Sequence, residues 1–192
     1  MRSVCVFCGS NSGAGEAYAS AARNLARAIA RRRLALVYGG GSIGLMGILA
    51  DAALEAGGNV IGVTPRRLVE REVAHGGLTE LRVVETMHER KALMADLSDA
   101  FISLPGGLGT LDETFEMLTW IQLGYHRKPC ALLEVNGYFE RLTAFLDHAV
   151  EQRFLTTEHR AMLIVEHDSE AVLDRLASAK LPDTGKWMDR KI

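Results

Sequence analysis

Ala100-Phe101-Ile102-Ser103-Leu104-Pro105-Gly106-Gly107-Leu108-Gly109-Thr110-Leu111-Asp112-Glu113 opens as an apolar run, breaks at Pro-Gly-Gly and resumes with helix-forming residues. It reads as a buried strand, a tight loop and the first turn of a helix. The same order recurs upstream, where Gly9 follows the run 4–7 and Gly39-Gly40-Gly41 follows the run 34–38. Further strand candidates lie at 59–63, 81–84, 130–135 and 162–165, beside 100–104 itself, and most are apolar on both faces. Strands of that kind need helices on both sides of their sheet. Helical spacing fills the intervals at 16–31, 44–56, 86–97, 110–123 and 138–152, and follows the last strand at 170–177. The repeated βα order predicts an α/β fold, a single doubly wound Rossmann-like domain over 1–192 with a mostly parallel sheet and a polar tail from about Leu181.

In such sheets the glycine turns stand at the carboxyl edge, where ligands bind. Gly9, Ser10, Gly40 and Gly41 are therefore candidate binding residues alongside the 105–113 loop. The connection 64–81, holding Pro65, Arg66, Arg67, Arg71 and Gly76-Gly77, is the one long irregular segment. Long loops in compact domains tend to be functional.

Composition narrows the class. With 192 residues, 48% hydrophobic, 24% charged and a mean hydropathy of +0.06, the chain has the mixture of a soluble globular protein, long enough to bury a core without disulfides or a structural metal. Its 22 Lys+Arg against 24 Asp+Glu, net charge −2, lack the basic excess of a general nucleic-acid or anionic-membrane binder. The uncharged stretch 34–50 falls short of a bilayer span and carries five glycines. The apolar run at 4–8 is too short for a signal peptide, and three cysteines, an odd number, fit a reducing, cytoplasmic setting.

The 105–113 loop is the most specific feature. Its glycines let backbone N–H groups approach an anion, and the helix that Thr110 opens adds free N–H groups and a favourable dipole. The Gly-Lys-Ser/Thr ending of a magnesium-dependent triphosphate loop is missing, so a monophosphate fits better. Glu113 has two readings. Thr110-x-x-Glu113 matches a capping box, yet a carboxylate about 5 Å along the axis from a phosphate cradle also suits the sugar of a bound nucleotide. Thr86-x-x-Glu89 is a second capping box, which puts Arg90 and Lys91 near a helix start, where the dipole disfavours cations. An anionic ligand or Glu113 would supply the reason; a solvated surface pair is the alternative.

Other motifs weigh less. Gly39-x-Gly41-x-x-Gly44 matches the dinucleotide fingerprint formally, but it follows the second strand, and no acidic residue ends the next one to hold a ribose. It reads as a second ligand-facing loop or as a tight turn. Cys5 and Cys8 lie three apart on a strand, so their sulfurs point to opposite faces as buried thiols. The six histidines show no ligand spacing, and Arg23, Arg27 and Arg31 to Arg33 form a solvated face near a helix end.

Taken together, the 105–113 motif, Met87-His88-Glu89-Arg90-Lys91, the Gly-rich stretch 38–47 and Cys8-Gly9-Ser10 closely resemble the LOG (Lonely Guy) family over about 4–165. These are cytokinin riboside 5′-monophosphate phosphoribohydrolases, many historically labelled lysine decarboxylase. The resemblance implies a homodimer that cleaves the N-glycosidic bond of a purine nucleoside 5′-monophosphate, without cofactor or metal. It also implies substrate contacts from Glu72, Arg90, Lys91, Gly107, Leu108, Gly109, Thr110, Leu111, Asp112, Glu113 and Thr119, with Arg90 and Glu113 catalytic. Asp112, where many relatives have Glu, and Asn11, where Ser is common, depart from the pattern. The decarboxylase label fits poorly, since none of Lys91, Lys128, Lys180, Lys186 or Lys191 has the sequence setting of a Schiff-base lysine. Two other readings compete: a nucleotide-binding or cofactor-carrier module, which would not require the Arg90 and Glu113 pair, and a general AMP phosphoribohydrolase.

Overall fold

The computed structural model describes residues 1–70 and 74–181. Seven strands, β1 (Ser3–Phe7), β2 (Ala35–Tyr38), β3 (Asn59–Pro65), β4 (Glu80–Val84), β5 (Phe101–Ser103), β6 (Cys130–Leu133) and β7 (Leu163–Glu166), form one sheet in the order β4-β3-β2-β1-β5-β6-β7. Every pair is parallel, so the sheet is entirely rather than mostly parallel among the described residues. β1 pairs with both β2 and β5, which makes the crevice between the ends of β1 and β5 the point where the winding reverses.

Helices cover both faces, as doubly apolar strands require. On one face α1 (Glu16–Arg31), α2 (Gly44–Glu55) and α8 (Ser169–Ser178) bury Leu25, Leu49 and Leu176 against Val4, Val6 and Leu36. Opposite them, α4 (Met87–Asp96) and α5 (Leu108–Gln122) bury Met94 and Met117 against Phe7, Val37 and Phe101, while α6 (Glu140–Glu151) packs Leu142 and Leu146 near Leu132 and Phe139. Cys5 belongs to the second face and Cys8 to the first, so the two thiols diverge as strand geometry dictates. The α1 arginines are not merely solvated: Arg31 and Arg32 pair with Glu170, and Arg32 also with Asp174, tying α1 to α8.

Two short helices, α3 (Arg66–Val69) and α7 (Thr157–Arg160), are too brief to show periodicity and escape a sequence reading. Several expected boundaries move by one or two residues, β3 among them, which runs on to Pro65. β6 ends at Leu133 because Asn136 and Gly137, both at positive φ, turn the chain before α6 begins at Glu140. α5 begins at Leu108 rather than at 110, with extended Gly107 as its N-cap. The expected polar tail lies at 182–192, outside the described residues, as does Glu72.

Candidate active site

Thr86 fixes the start of α4. Its hydroxyl accepts the Glu89 N–H at 3.1 Å, and the Glu89 carboxylate accepts the N–H groups of Thr86 and Glu85, the capping box that the sequence predicts. Arg90 and Lys91 consequently leave the helix at its inner side, and both are buried. The Arg90 guanidinium donates to the Val63 carbonyl at 3.0 Å, to the Gly39 carbonyl at 3.2 Å and to Glu113 Oε1 at 3.1 Å. These partners come from the ends of β3 and β2 and from α5, so the side chain is held in one position.

Gly39 explains part of the glycine run. A Cβ there would stand 1.8 Å from Arg90 Nη2, although the backbone conformation is open to any residue. Gly39→Ala should therefore displace the guanidinium without preventing folding. The expected result is a kcat about 100-fold lower with an unchanged far-UV circular dichroism spectrum.

Glu113 is not a helix cap. Because Gly107 is the N-cap of α5, Thr110 is its third residue and Glu113 lies a further turn along, with its side chain on Arg90. Glu113 is 8% exposed, and burial is the largest influence on its carboxyl, raising its pKa above the ordinary value while Arg90 pulls in the other direction. Lys91 lies beside this pair, 3.0 Å from Asp112 and 3.0 Å from Glu116. Burial opposes the Lys91 charge, but its bonds to the two carboxylates prevail and hold the ammonium above its ordinary pKa. The acidic face of α5 thus compensates for two cations placed at a helix start.

A cleft of about 260 Å³ opens beside the pair, at the reversal point of the sheet. Arg90 and Glu113 form one wall, residues 107–110 another, and Cys8, Gly9 and Ser10 a third. The N–H groups of Gly107, Leu108, Gly109 and Thr110 precede the first intrahelical bond, in which Leu111 donates to the Gly107 carbonyl, and so have no acceptor within α5. The loop is anchored from behind, where Gly9 N–H donates to the Pro105 carbonyl and Leu45 N–H to the Gly9 carbonyl. The free N–H groups of this helix start and a carboxylate one turn further on line one cavity, an arrangement suited to an anion.

Other residues implicated by the sequence lie elsewhere. Leu111 packs with Leu132 and Phe139 in the core and does not line the cleft. Lys91 and Asp112 occupy each other next to the cleft rather than facing it. Gly40 and Gly41 face the segment that returns to β4: the Gly40 carbonyl accepts the His75 N–H, and Gly41 bridges Ala74. His75 in turn bonds Asp51 of α2 at 2.9 Å, clamping this glycine loop behind Arg90. Gly44, at φ +61°, packs its bare Cα on the Ser10 backbone, so the apparent dinucleotide fingerprint is a packing turn. Thr119 is exposed, bonds the Phe115 carbonyl and lines a separate apolar groove with Phe115 and Phe154. Sequence reasoning missed Met46 and Leu68, which also line the cleft, and the Gly39 and Val63 carbonyls that hold Arg90. A larger groove of about 620 Å³ runs between α1 and the start of α8, away from these groups.

Residues 46–176, which include Arg90, Glu113 and the glycine loop, match the family described as "possible lysine decarboxylase". The chain belongs to this family, the LOG family. It is 52% identical to a cytokinin riboside 5′-monophosphate phosphoribohydrolase of Rhodococcoides fascians, covering 92% of this chain and 90% of the relative. A phosphoribohydrolase of the same description from Arabidopsis thaliana is 47% identical, over 96% of this chain and 81% of its own. Among solved structures, the molybdenum cofactor binding protein of Rippkaea orientalis superposes with TM-score 0.71 at 21% identity, covering 93% of this chain and 97% of that one. The carrier protein MCP of Chlamydomonas reinhardtii gives 0.67 at 23%, covering 92% and 98%. At such identities the likeness of the LOG-family chain to them shows the fold alone.

Proposed function

We propose that this protein hydrolyses the N-glycosidic bond of purine nucleoside 5′-monophosphates of the cytokinin type, releasing the base and ribose 5-phosphate. The observation that carries the reading is the buried Arg90 and Glu113 pair facing a helix-start anion cradle across one cleft. The 5′-phosphate sits on the N–H groups of 107–110, which brings C1′ of the ribose toward Glu113. As the bond to the base breaks, its electron pair leaves with the base and positive charge develops at C1′. Glu113 stabilises that charge and takes a proton from the water that adds to C1′, while the departing base takes up a proton from solvent, to which Glu113 returns its own. Arg90 keeps the carboxylate ionised against the cost of burial and fixes its orientation. Met46 and Leu68 give the cleft apolar surface suited to a base. Two 5′-monophosphates, AMP and N6-isopentenyl-AMP, test this together: base release from both, faster from the prenylated one, supports the cytokinin reading, whereas equal rates reduce it to a general AMP phosphoribohydrolase.

Lysine decarboxylation finds no support in the same residues. A Schiff-base lysine must shed its proton readily, whereas Lys91, next to Arg90 on α4, is bound by two carboxylates that favour its charged form.

The working form is proposed to be a cytoplasmic homodimer. Three buried free thiols, Cys5, Cys8 and Cys130, suit a reducing compartment. On α5, Met117 faces the sheet, but Phe115 and Leu118 line the groove that holds Thr119. Phe154, 87% exposed, lines the same groove together with Leu146 and Ala149 of α6. A second copy seated there covers this apolar surface and brings in Thr119, which a single copy keeps away from its own cleft. Light scattering at micromolar concentration should give twice the mass of 21.0 kDa; a monomer mass rejects the dimer.

A further inference from the structure

Tyr138 lines a cavity of about 230 Å³ with Gly106 and Gly107, separate from the cleft that holds Glu113. Its hydroxyl donates to the Gly106 carbonyl at 2.6 Å. Its ring is wedged edge-on between Tyr18 and Phe139, with centroids 5.9 and 5.0 Å away. The turn that presents it rests on a buried acid: Glu134, 5% exposed, accepts the Phe139 N–H at 2.8 Å, and Asn136 and Gly137 close the turn at positive φ. None of these groups has a part in the chemistry above, yet a buried carboxylate is costly to keep without purpose.

Peptide geometry supplies one. In a trans peptide the carbonyl of one residue and the N–H of the next point in opposite directions. With the Gly106 carbonyl drawn toward Tyr138, the Gly107 N–H is turned the opposite way, and Gly107 is a residue of the cleft wall. Flanked by two residues without Cβ, the Gly106–Gly107 peptide is the one in the loop freest to rotate, and rotation would present a carbonyl oxygen to the phosphate instead of a donor. We infer that Tyr138 is a positioning residue that locks this peptide and so sets the affinity of the cradle for the 5′-phosphate. The inference rests on the proposed placement of the phosphate at 107–110 and extends it to a residue outside the cleft.

Tyr138→Phe is the test, because it keeps the ring and its packing and removes only the hydroxyl. Calorimetric titration of wild type and variant with AMP, inorganic phosphate and adenosine should show AMP and phosphate weakened about 3- to 10-fold, the range of one hydrogen bond. Adenosine, lacking the phosphate, should bind both proteins equally, and thermal midpoints should agree within a few degrees. In turnover, KM for AMP should rise by the same factor, with kcat within about twofold. Unchanged phosphate affinity, or an equal loss for AMP and adenosine, overturns the assignment. Should the wild type bind AMP but release no base, the hydrolytic reading falls, and a phosphate-specific loss in Tyr138→Phe still supports the role of Tyr138.

Discussion

Glu113→Gln is expected to lower kcat for nucleoside 5′-monophosphates by about 100-fold or more while AMP binding survives. The substitution preserves shape and removes charge, and a group acting on developing charge typically contributes at least that factor. Arg90→Ala is expected to fall similarly in kcat, since it frees the Glu113 carboxylate from the partner 3.1 Å away that holds it in the wall of the cleft. It also leaves a buried acid uncompensated, which costs about 3–5 kcal/mol if the acid stays ionised. The pH profile separates the two roles. Burial raises the Glu113 pKa, so the acid limb of kcat/KM should lie above the value of about 4.3 for an exposed glutamate, with activity lost as pH falls through it. In Glu113→Gln the residual activity should lack that limb. Near-wild-type turnover by Glu113→Gln would leave Glu113 a structural partner of Arg90 only.

The second large effect is the demand for phosphate. Charge-assisted hydrogen bonds contribute roughly 1.5–3 kcal/mol each. Two or three of them from the start of α5 give roughly 3–9 kcal/mol of binding that persists in the transition state, so kcat/KM for AMP should exceed that for adenosine by more than about 100-fold. Further phosphates should not help, because the loop 105–113 contains no lysine to meet them. ATP is therefore expected to be no better than AMP. Comparable kcat/KM for adenosine and AMP would make the glycine loop a structural turn.

These expectations draw unequally on sequence and structure. The alternation of doubly apolar runs with helical spacing is a strong periodic signal, so the parallel sheet and its carboxyl-edge loops are legible from the residues alone. Capping chemistry is legible where a side chain performs it, as at Thr86, and misleading where the backbone does: Thr110-x-x-Glu113 has the letters of a capping box, but extended Gly107 starts the helix and releases Glu113 for Arg90. The unfavourable placement of Arg90 and Lys91 at a helix start signals missing anions without saying which anion meets which cation. Backbone partners leave no such trace. The carbonyls of Gly39, Val63 and Gly106 that orient Arg90 and receive Tyr138 are common to every residue type, and only the fold selects them. Thr119, placed with the substrate by family resemblance, shows the converse, since it lines a groove separate from the cleft that holds Glu113.

Quantifying both products of one reaction tests the central claim most directly. Wild-type protein incubated with N6-isopentenyl-AMP, followed by chromatography for the free base and enzymatic assay for ribose 5-phosphate, should yield the two in equal amounts. Release of the nucleoside and inorganic phosphate instead, or recovery of intact nucleotide, would contradict the account.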